Sequence, residues 1–400
     1  MTDAVLLIPY LFLVFWAAKL TFAGILRIAS PELGLQKDYS FTPSVVVLVS
    51  CYNEGEAIYA TLKAAGESNY PKDKFKILAF DDCSKDDTWE WMQMAADNFE
   101  CVTASRNAVN KGKAITIGEA IRNSTSDIII TIDSDTQLDA NAIREMIACF
   151  SDPKIALVGG AVKLINPNEN SLTAFQAYVY AIFFHWLKLP EAYLRQVAVI
   201  SGCMSAIRRS VFEEIEPAIE KRNFLGVSVR YGEDRFITHQ TLLRGYQTFF
   251  NPRAICWTTA PNTFEGYWGQ QIRWARSGLG DSIKTITHPY SNTVVGTLAL
   301  TSYLLTTVTL PIMMCSFWLS LSSDPASSVT AKCLMCAGSA IVVVWFMNFF
   351  SHMKANPIKV VGFATWGLIK VLFLVPSALF TLDFDGWGGA RNKNDEKGSQ

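Results

Sequence analysis

The feature that most constrains this chain is a repeated motif of texture: a short, unbroken apolar run, a polar end, then a stretch with helical spacing. Ser44–Ser50, Lys76–Asp81, Cys101–Ala104, Ile128–Asp133 and Ala156–Gly160 each read as a strand, with Ser44–Ser50 and Ile128–Asp133 of the buried kind. Between them, Ser84–Phe99, Gly112–Asn123 and Asn141–Phe150 read as helices. Asn53, with Glu56 at capping-box spacing, is placed to open the helix after the first strand. Strand and helix in alternation predict an open α/β sheet. Polar residues, acids above all, collect where the strands end, and in such sheets ligands bind along that edge.

The chain has 400 residues, half of them hydrophobic and only 18% charged, with the apolar excess at the two ends. Ala4–Ile28, Thr293–Leu321 and Ala331–Phe350 are each long enough to cross a hydrocarbon core of about 30 Å. Lys19, Arg27 and Lys37 follow a start, Met1-Thr2-Asp3, without Lys or Arg, which predicts an N-terminal anchor (1–30) and a cytoplasmic domain (40–290). Two spans fill 291–352, and their link Ser322–Thr330 has no Lys or Arg. The last apolar run, Val360–Leu382, holds Lys370 near its centre and is broken by Gly362, Gly367 and Pro376. A charge there costs about 2.5–3.5 kcal/mol on insertion scales. The expectation for 353–400 is therefore a helix along the cytoplasmic interface, with a fourth span as the alternative. Such a chain belongs in the cell membrane as a multi-pass protein with its partner the lipid bilayer. The net charge of −1 offers nothing to a nucleic acid. Nine scattered cysteines, Cys333 and Cys336 inside an apolar segment among them, do not suggest an exported disulfide framework.

Leu172, Phe175, Val179, Ile182, Phe183 and Trp186 fall at helical spacing. They suit either a core-packed helix or one lying in the bilayer interface.

The chemistry concentrates in a few places. Asp133 and Asp135 are two carboxylates one residue apart at a strand end, able to face a divalent cation bridging diphosphate oxygens. Asp81 and Asp82 end another strand and suit a ribose or a base. Tyr52 and Glu54 stand at the first strand end, where a ring and an acid could flank a nucleobase. Lys113 opens a helix, a position suited to phosphate. Glu233 and Asp234 offer a general base for a sugar hydroxyl. Arg273 suits a departing diphosphate, and Trp274 and Trp268 suit sugar stacking or an interfacial anchor.

In this order, Cys51-Tyr-Asn-Glu54, Asp81-Asp82, Asn110-Lys-Gly-Lys113, Asp133-Ser-Asp135, Gly232-Glu-Asp234 and Gln270-x-x-Arg273-Trp274 resemble the processive family 2 glycosyltransferases. These include hyaluronan synthases, chitin-oligosaccharide synthases of nodulation, type 3 capsule synthases and cellulose synthases. The resemblance covers roughly residues 45–390, and Phe224-Leu-Gly226 and Trp387-Gly388 point towards the hyaluronan synthase branch. It implies an inverting GT-A domain, Rossmann-like, that uses a UDP-sugar, UDP-GlcNAc and/or UDP-GlcA, with Mg²⁺ or Mn²⁺. Asp234 with Glu233 would be catalytic, and Asp133 and Asp135 would hold the metal. Tyr52, Glu54, Asp81, Asp82, Lys113 and Arg273 would bind UDP. Ser201, Gly202, Cys203, Gln270 and Trp274 would bind the growing polysaccharide, and the C-terminal tail would act as a gate. Two local differences accompany it: Ile200 and Cys203 flank Ser201-Gly202 where that branch has cysteine and proline, and Trp387 to Arg391 is one residue longer. The implied product is a β-linked extracellular polysaccharide. The alternatives are single-sugar transfer to a lipid-linked acceptor and a short chitin oligosaccharide. With about three spans, a secretion channel would call for a second copy of the chain.

Overall fold

The computed structural model describes residues 18–220, 223–224, 227–228, 232–287, 373, 377 and 381. A helix (α1) covers residues 18–29. Eight strands form one sheet: β1 Val45–Cys51, β2 Phe75–Asp81, β3 Val102–Arg106, β4 Ile128–Ile132, β5 Gln137–Leu138, β6 Ile155–Leu164, β7 Met204–Arg208 and β10 Gln247–Thr258. A short hairpin, β8 Asn223–Phe224 with β9 Val227–Ser228, stands apart from it. The helices are α2 Ala57–Gly66, α3 Thr88–Asn98, α4 Lys113–Arg122, α5 Ala142–Ile147, α6 Ser171–Ala181, α7 Lys188–Tyr193, α8 Arg209–Glu220, α9 Glu233–Leu243 and α10 Phe264–Thr287.

The sheet order is β3-β2-β1-β4-β7-β6-β10-β5. In β1 all seven residues are buried, as the unbroken apolar run requires of a strand covered on both faces. From β1 the chain winds outward through β2 and β3, then returns to place β4 on the other side of β1, all four parallel. The switch point between β1 and β4 opens a crevice at their C-terminal ends.

Beyond β4 the sheet is mixed. β7 runs antiparallel to both β4 and β6, with Ile132 opposite Met204. This reversal matters because it carries the residues just before β7, Ser201 to Cys203, to the edge where β4 ends. β6 and β10 are parallel to each other, so both finish on that edge as well, and α10 begins six residues after β10. One sheet edge thus receives the ends of β1, β2, β4, β6 and β10 and the beginning of β7.

Several local expectations are corrected. Asn53 does not cap α2, whose first turn follows Glu56 with no side-chain cap. With φ of 53° it turns the loop, and its Oδ1 instead accepts from the Lys85 N–H at 2.9 Å. β6 extends to Leu164, past the expected Gly160, because a bulge between Asn251 and Ile255 of β10 restores pairing. The apolar run from Leu172 splits into α6 and a π-helical turn, Ile182–Trp186.

Gly160 lies at that bulge. A Cβ there would stand 2.3 Å from the Ala254 carbonyl oxygen and 2.1 Å from Met204 Cε. The methionine can move, but the carbonyl belongs to the backbone. Gly160→Ala should therefore destabilise the domain by about 1–3 kcal/mol, read as a lowered thermal midpoint, and an unchanged midpoint would refute the packing argument.

Among the described residues no helix is long and apolar enough to cross a membrane. The expected spans 293–321 and 331–350 lie outside the described residues, as do 1–17. Of the run 360–382, Phe373, Ser377 and Thr381 are described. The Ser377 and Thr381 hydroxyls each donate to the carbonyl four residues back at 2.6 Å, and Thr381 Oγ1 accepts from Arg276 Nε (3.0 Å) and Nη2 (2.7 Å) of α10.

Candidate active site

At the end of β1 the loop Tyr52–Gly55 is held by its neighbours. The Asn53 N–H donates to Ser84 Oγ, and the Glu54 and Gly55 N–H groups both donate to Thr88 Oγ1 at 2.9 Å. Ser134 Oγ donates to Glu54 Oε1 at 2.7 Å, which ties the first motif across the crevice to the acid pair after β4.

Asp81 and Asp82 are almost fully buried. Asp81 accepts from the Ser84 N–H at 2.8 Å and pairs with Arg106 Nε at 2.9 Å. Asp82 accepts from Asn107 Nδ2 and the Lys111 N–H on one oxygen, and from the Gly112 N–H at 2.7 Å on the other. The visible task of Asp82 is thus to shape the loop that presents Lys113, which opens α4 behind a left-handed Gly112 (φ 83°).

Lys113 is the hub. Its ammonium pairs with Asp133 Oδ1 and lies 3.8 Å from Glu233 Oε1. Burial alone would lower its pKa, yet Asp133, Glu233 and Asp234 together raise it above the ordinary lysine value. Glu233 is shifted upward by its recessed position and by Asp234, against the pull of Lys113.

Asp234 sits in the first turn of α9, where the helix dipole favours negative charge. Its Oδ2 accepts from the Gly202 N–H at 3.0 Å and its Oδ1 from the Arg235 N–H at 2.8 Å. Thr238, fully buried, donates to the Asp234 carbonyl and accepts from the Ile200 N–H at 3.1 Å, stitching α9 to the 200–202 loop. The Asp133 N–H donates to the Cys203 carbonyl at 3.3 Å on the other side of that loop. Asp133, Glu233, Asp234, Lys113 and Gly202 therefore share one cleft.

Gln270, Arg273 and Trp274 ride on α10. Trp274 lies 5.7 Å from the Phe184 ring and 6.3 Å from the Tyr180 ring, which stack on each other at 4.6 Å. Among the described residues the buried Gln270 Oε1 meets no hydrogen-bond donor. Burial raises the Tyr180 hydroxyl's pKa above the ordinary tyrosine value, and the carboxylates Asp135 and Asp133 push in the same direction.

Residues 46–216 match the family model described as "Glycosyl transferase family 2". These residues form a family 2 glycosyltransferase domain. Hyaluronan synthase from Streptococcus pyogenes is 27% identical over 364 residues, 90% of this chain and 84% of that protein. Poly-beta-1,6-N-acetyl-D-glucosamine synthase from Staphylococcus aureus (strain COL) is 28% identical over 235 residues, 58% of this chain and 54% of that protein. A mannosyltransferase from Pyrobaculum calidifontis, solved in complex with GDP-Man and Mn²⁺, superposes with a TM-score of 0.60 at 17% identity, covering 93% of this chain and 99% of that one. That likeness shows the GT-A-like fold, and the relatives make this glycosyltransferase a distant homologue of polysaccharide synthases.

Donor chemistry at the acid pair suits a hard cation. Among the described residues no three His, Cys, Asp or Glu side chains gather as a ligand set, so Asp133 and Asp135 would have to share the ion with phosphate and water, as Mg²⁺ and Mn²⁺ allow. Burial, with Asp133 beside them, pushes up the neighbouring Cys203 and Cys256 thiols, and it is the carboxylate oxygens of the acid pair that suit such a cation. Reasoning from sequence passed over Tyr180, Phe184 and Lys188. The aromatic spacing of 172–186 was visible, but the π-helical turn that brings Phe184 to Trp274 had no signal in it.

Proposed function

We propose that this glycosyltransferase polymerises sugar from UDP-sugar donors into a β-linked polysaccharide, with inversion at the anomeric carbon. The observation that carries this reading is the Asp234 carboxylate held 3.0 Å from the Gly202 amide, in the cleft where Lys113 pairs with Asp133. A hydroxyl of the acceptor sugar attacks the anomeric carbon of the donor. Its proton passes to Asp234 as the new glycosidic bond forms, and the bond to the diphosphate breaks with both electrons leaving on UDP. Asp133 and Asp135 would hold the cation, which supplies neutralisation of diphosphate charge when bound; the Mn²⁺ of the mannosyltransferase supports a divalent ion. Lys113 and Arg273 add fixed positive charge on the donor side. Tyr52, Glu54 and Asp82 border the nucleotide, while Asp81 braces Arg106 behind it. Trp274, with Phe184 and Tyr180 behind it, offers the acceptor sugar an aromatic face.

The relatives named for hyaluronan and poly-N-acetylglucosamine support UDP-GlcNAc, alone or with UDP-GlcA, as the donor. The test is incubation of membranes carrying the full chain with each UDP-sugar and with both, followed by linkage-specific hydrolases. High-mass β-linked polymer is expected. A single sugar transferred to extracted lipid would overturn the polymerase reading.

A further inference from the structure

We infer that Lys188 is an acceptor-side positioning residue, whose ammonium holds an oxygen of the acceptor sugar next to Asp234. This rests on Asp234 being the base, as proposed above.

Lys188 opens α7 directly after the π-helical turn Ile182–Trp186, a backbone irregularity that is frequent at functional sites. The residue is only 7% exposed. Its Nζ stands 5.3 Å from the centroid of Phe184 and 5.8 Å from that of Phe250. Phe184 is also the ring that packs on Trp274. One ring therefore carries both the stacking tryptophan and the ammonium.

Its own helix supplies one carboxylate, and that one is engaged elsewhere. Glu191, less than a turn further on, is already bound to Lys19 Nζ at 2.8 Å and to the Ala198 N–H at 3.2 Å. Among the described residues the two rings are the direct partners of the ammonium, and no carboxylate pairs with it. The groups that share its field are Glu191, Asp234, Cys203 and Arg235. Burial lowers its pKa to about 8, opposed by Glu191 and Asp234, so the protonated form prevails at neutral pH.

An ammonium resting against two rings keeps its hydrogen-bond donors available. It has three donors and no lone pair, so a group that binds it brings oxygens. A hydroxyl, an N-acetyl carbonyl or a uronate carboxylate of a sugar fits. Lys113 is committed to Asp133 and Glu233 on the donor side. Lys188 follows the π-helical turn whose Phe184 meets Trp274. Both lysines feel the charge of Asp234, and we assign Lys113 to the departing diphosphate and Lys188 to the incoming sugar.

The test uses membranes with the full chain, Mn²⁺ and a mixture of UDP-GlcNAc and UDP-GlcA. Three quantities are read: UDP–Mn²⁺ affinity, sugar transferred into product, and donor lost to water. Lys188→Met keeps the stem on the rings and removes the donors. Transfer should fall about 10–100-fold, the loss of one charge-assisted hydrogen bond, while UDP affinity and donor hydrolysis hold at wild-type values. Lys188→Arg should recover part of the transfer. Wild-type transfer by Lys188→Met would overturn the inference, as would equal losses of UDP affinity, hydrolysis and transfer, which mark a structural lysine. Asp234→Asn is run beside it. Inactive Asp234→Asn with fully active Lys188→Met defeats the inference alone, whereas active Asp234→Asn defeats the base assignment beneath it.

Discussion

Asp234→Asn should lower sugar transfer by about 10²–10⁴-fold, the usual worth of a positioned general base, while UDP–Mn²⁺ still binds. The reason lies in what the carboxylate does and does not hold up. Its two oxygens accept from the Gly202 and Arg235 amides, and an asparagine oxygen can keep one of these. The stitch between α9 and the 200–202 loop runs separately, through Thr238. An amide in this position therefore leaves the loop in place but has no lone pair basic enough to take the hydroxyl proton. The measurement is polymer formed per mole of chain, alongside UDP affinity and the thermal midpoint. Polymer at the wild-type rate from Asp234→Asn membranes would end the base assignment.

Gly232→Ala should be nearly as damaging, although no reacting atom touches Gly232. Its φ of 70° lies in the left-handed region, where a Cβ costs about 1–2 kcal/mol. The added carbon would also meet Ser277 Oγ at 1.9 Å and Ser277 Cβ at 2.6 Å. Gly232 is where the start of α9 leans on α10, so the clash pushes Asp234 away from Gln270, Arg273 and Trp274. A displacement near 1 Å is enough to cost roughly 10²-fold in rate. Ser277→Gly removes the obstructing side chain, so the double variant should recover the steric part and retain the backbone part. A double variant no better than Gly232→Ala would show that the left-handed backbone, not the helix contact, dominates. Gly232→Ala at full activity would refute both.

Much of the nucleotide half could be read from residue order. β1 and β4 were foreseen within a residue or two because each is a nearly continuous apolar run, and β2 because its apolar residues lead straight into Asp81. Their acids follow as neighbours in sequence, so Asp81, Asp82, Asp133 and Asp135 were found with them. What those acids bond to was a different matter. Asp82 spends both oxygens on amides about thirty residues away, and the partner of Asp81, Arg106, ends a strand whose length was underestimated. Charge identifies an acid; only packing assigns its hydrogen bonds.

The acceptor half was less legible, and β7 explains why. It is an ordinary five-residue strand, and nothing in Met204–Arg208 announces that it runs opposite to its neighbours. That direction alone turns Ser201 to Cys203 towards Asp133 and Asp234. Likewise, the helical spacing of 172–186 suited a core or an interface equally well. Only the π-helical turn decides that Phe184 faces Trp274 and that Lys188 comes to rest on the same ring.

Residue order by itself thus determined the α/β class, the parallel strands and the identity of the acids, since burial on both faces leaves apolar strands little freedom. Strand direction, the α9–α10 contact at Gly232 and the company of Lys188 were decided by tertiary structure. Each of these depends on segments tens of residues apart competing for the same space, which no local pattern encodes.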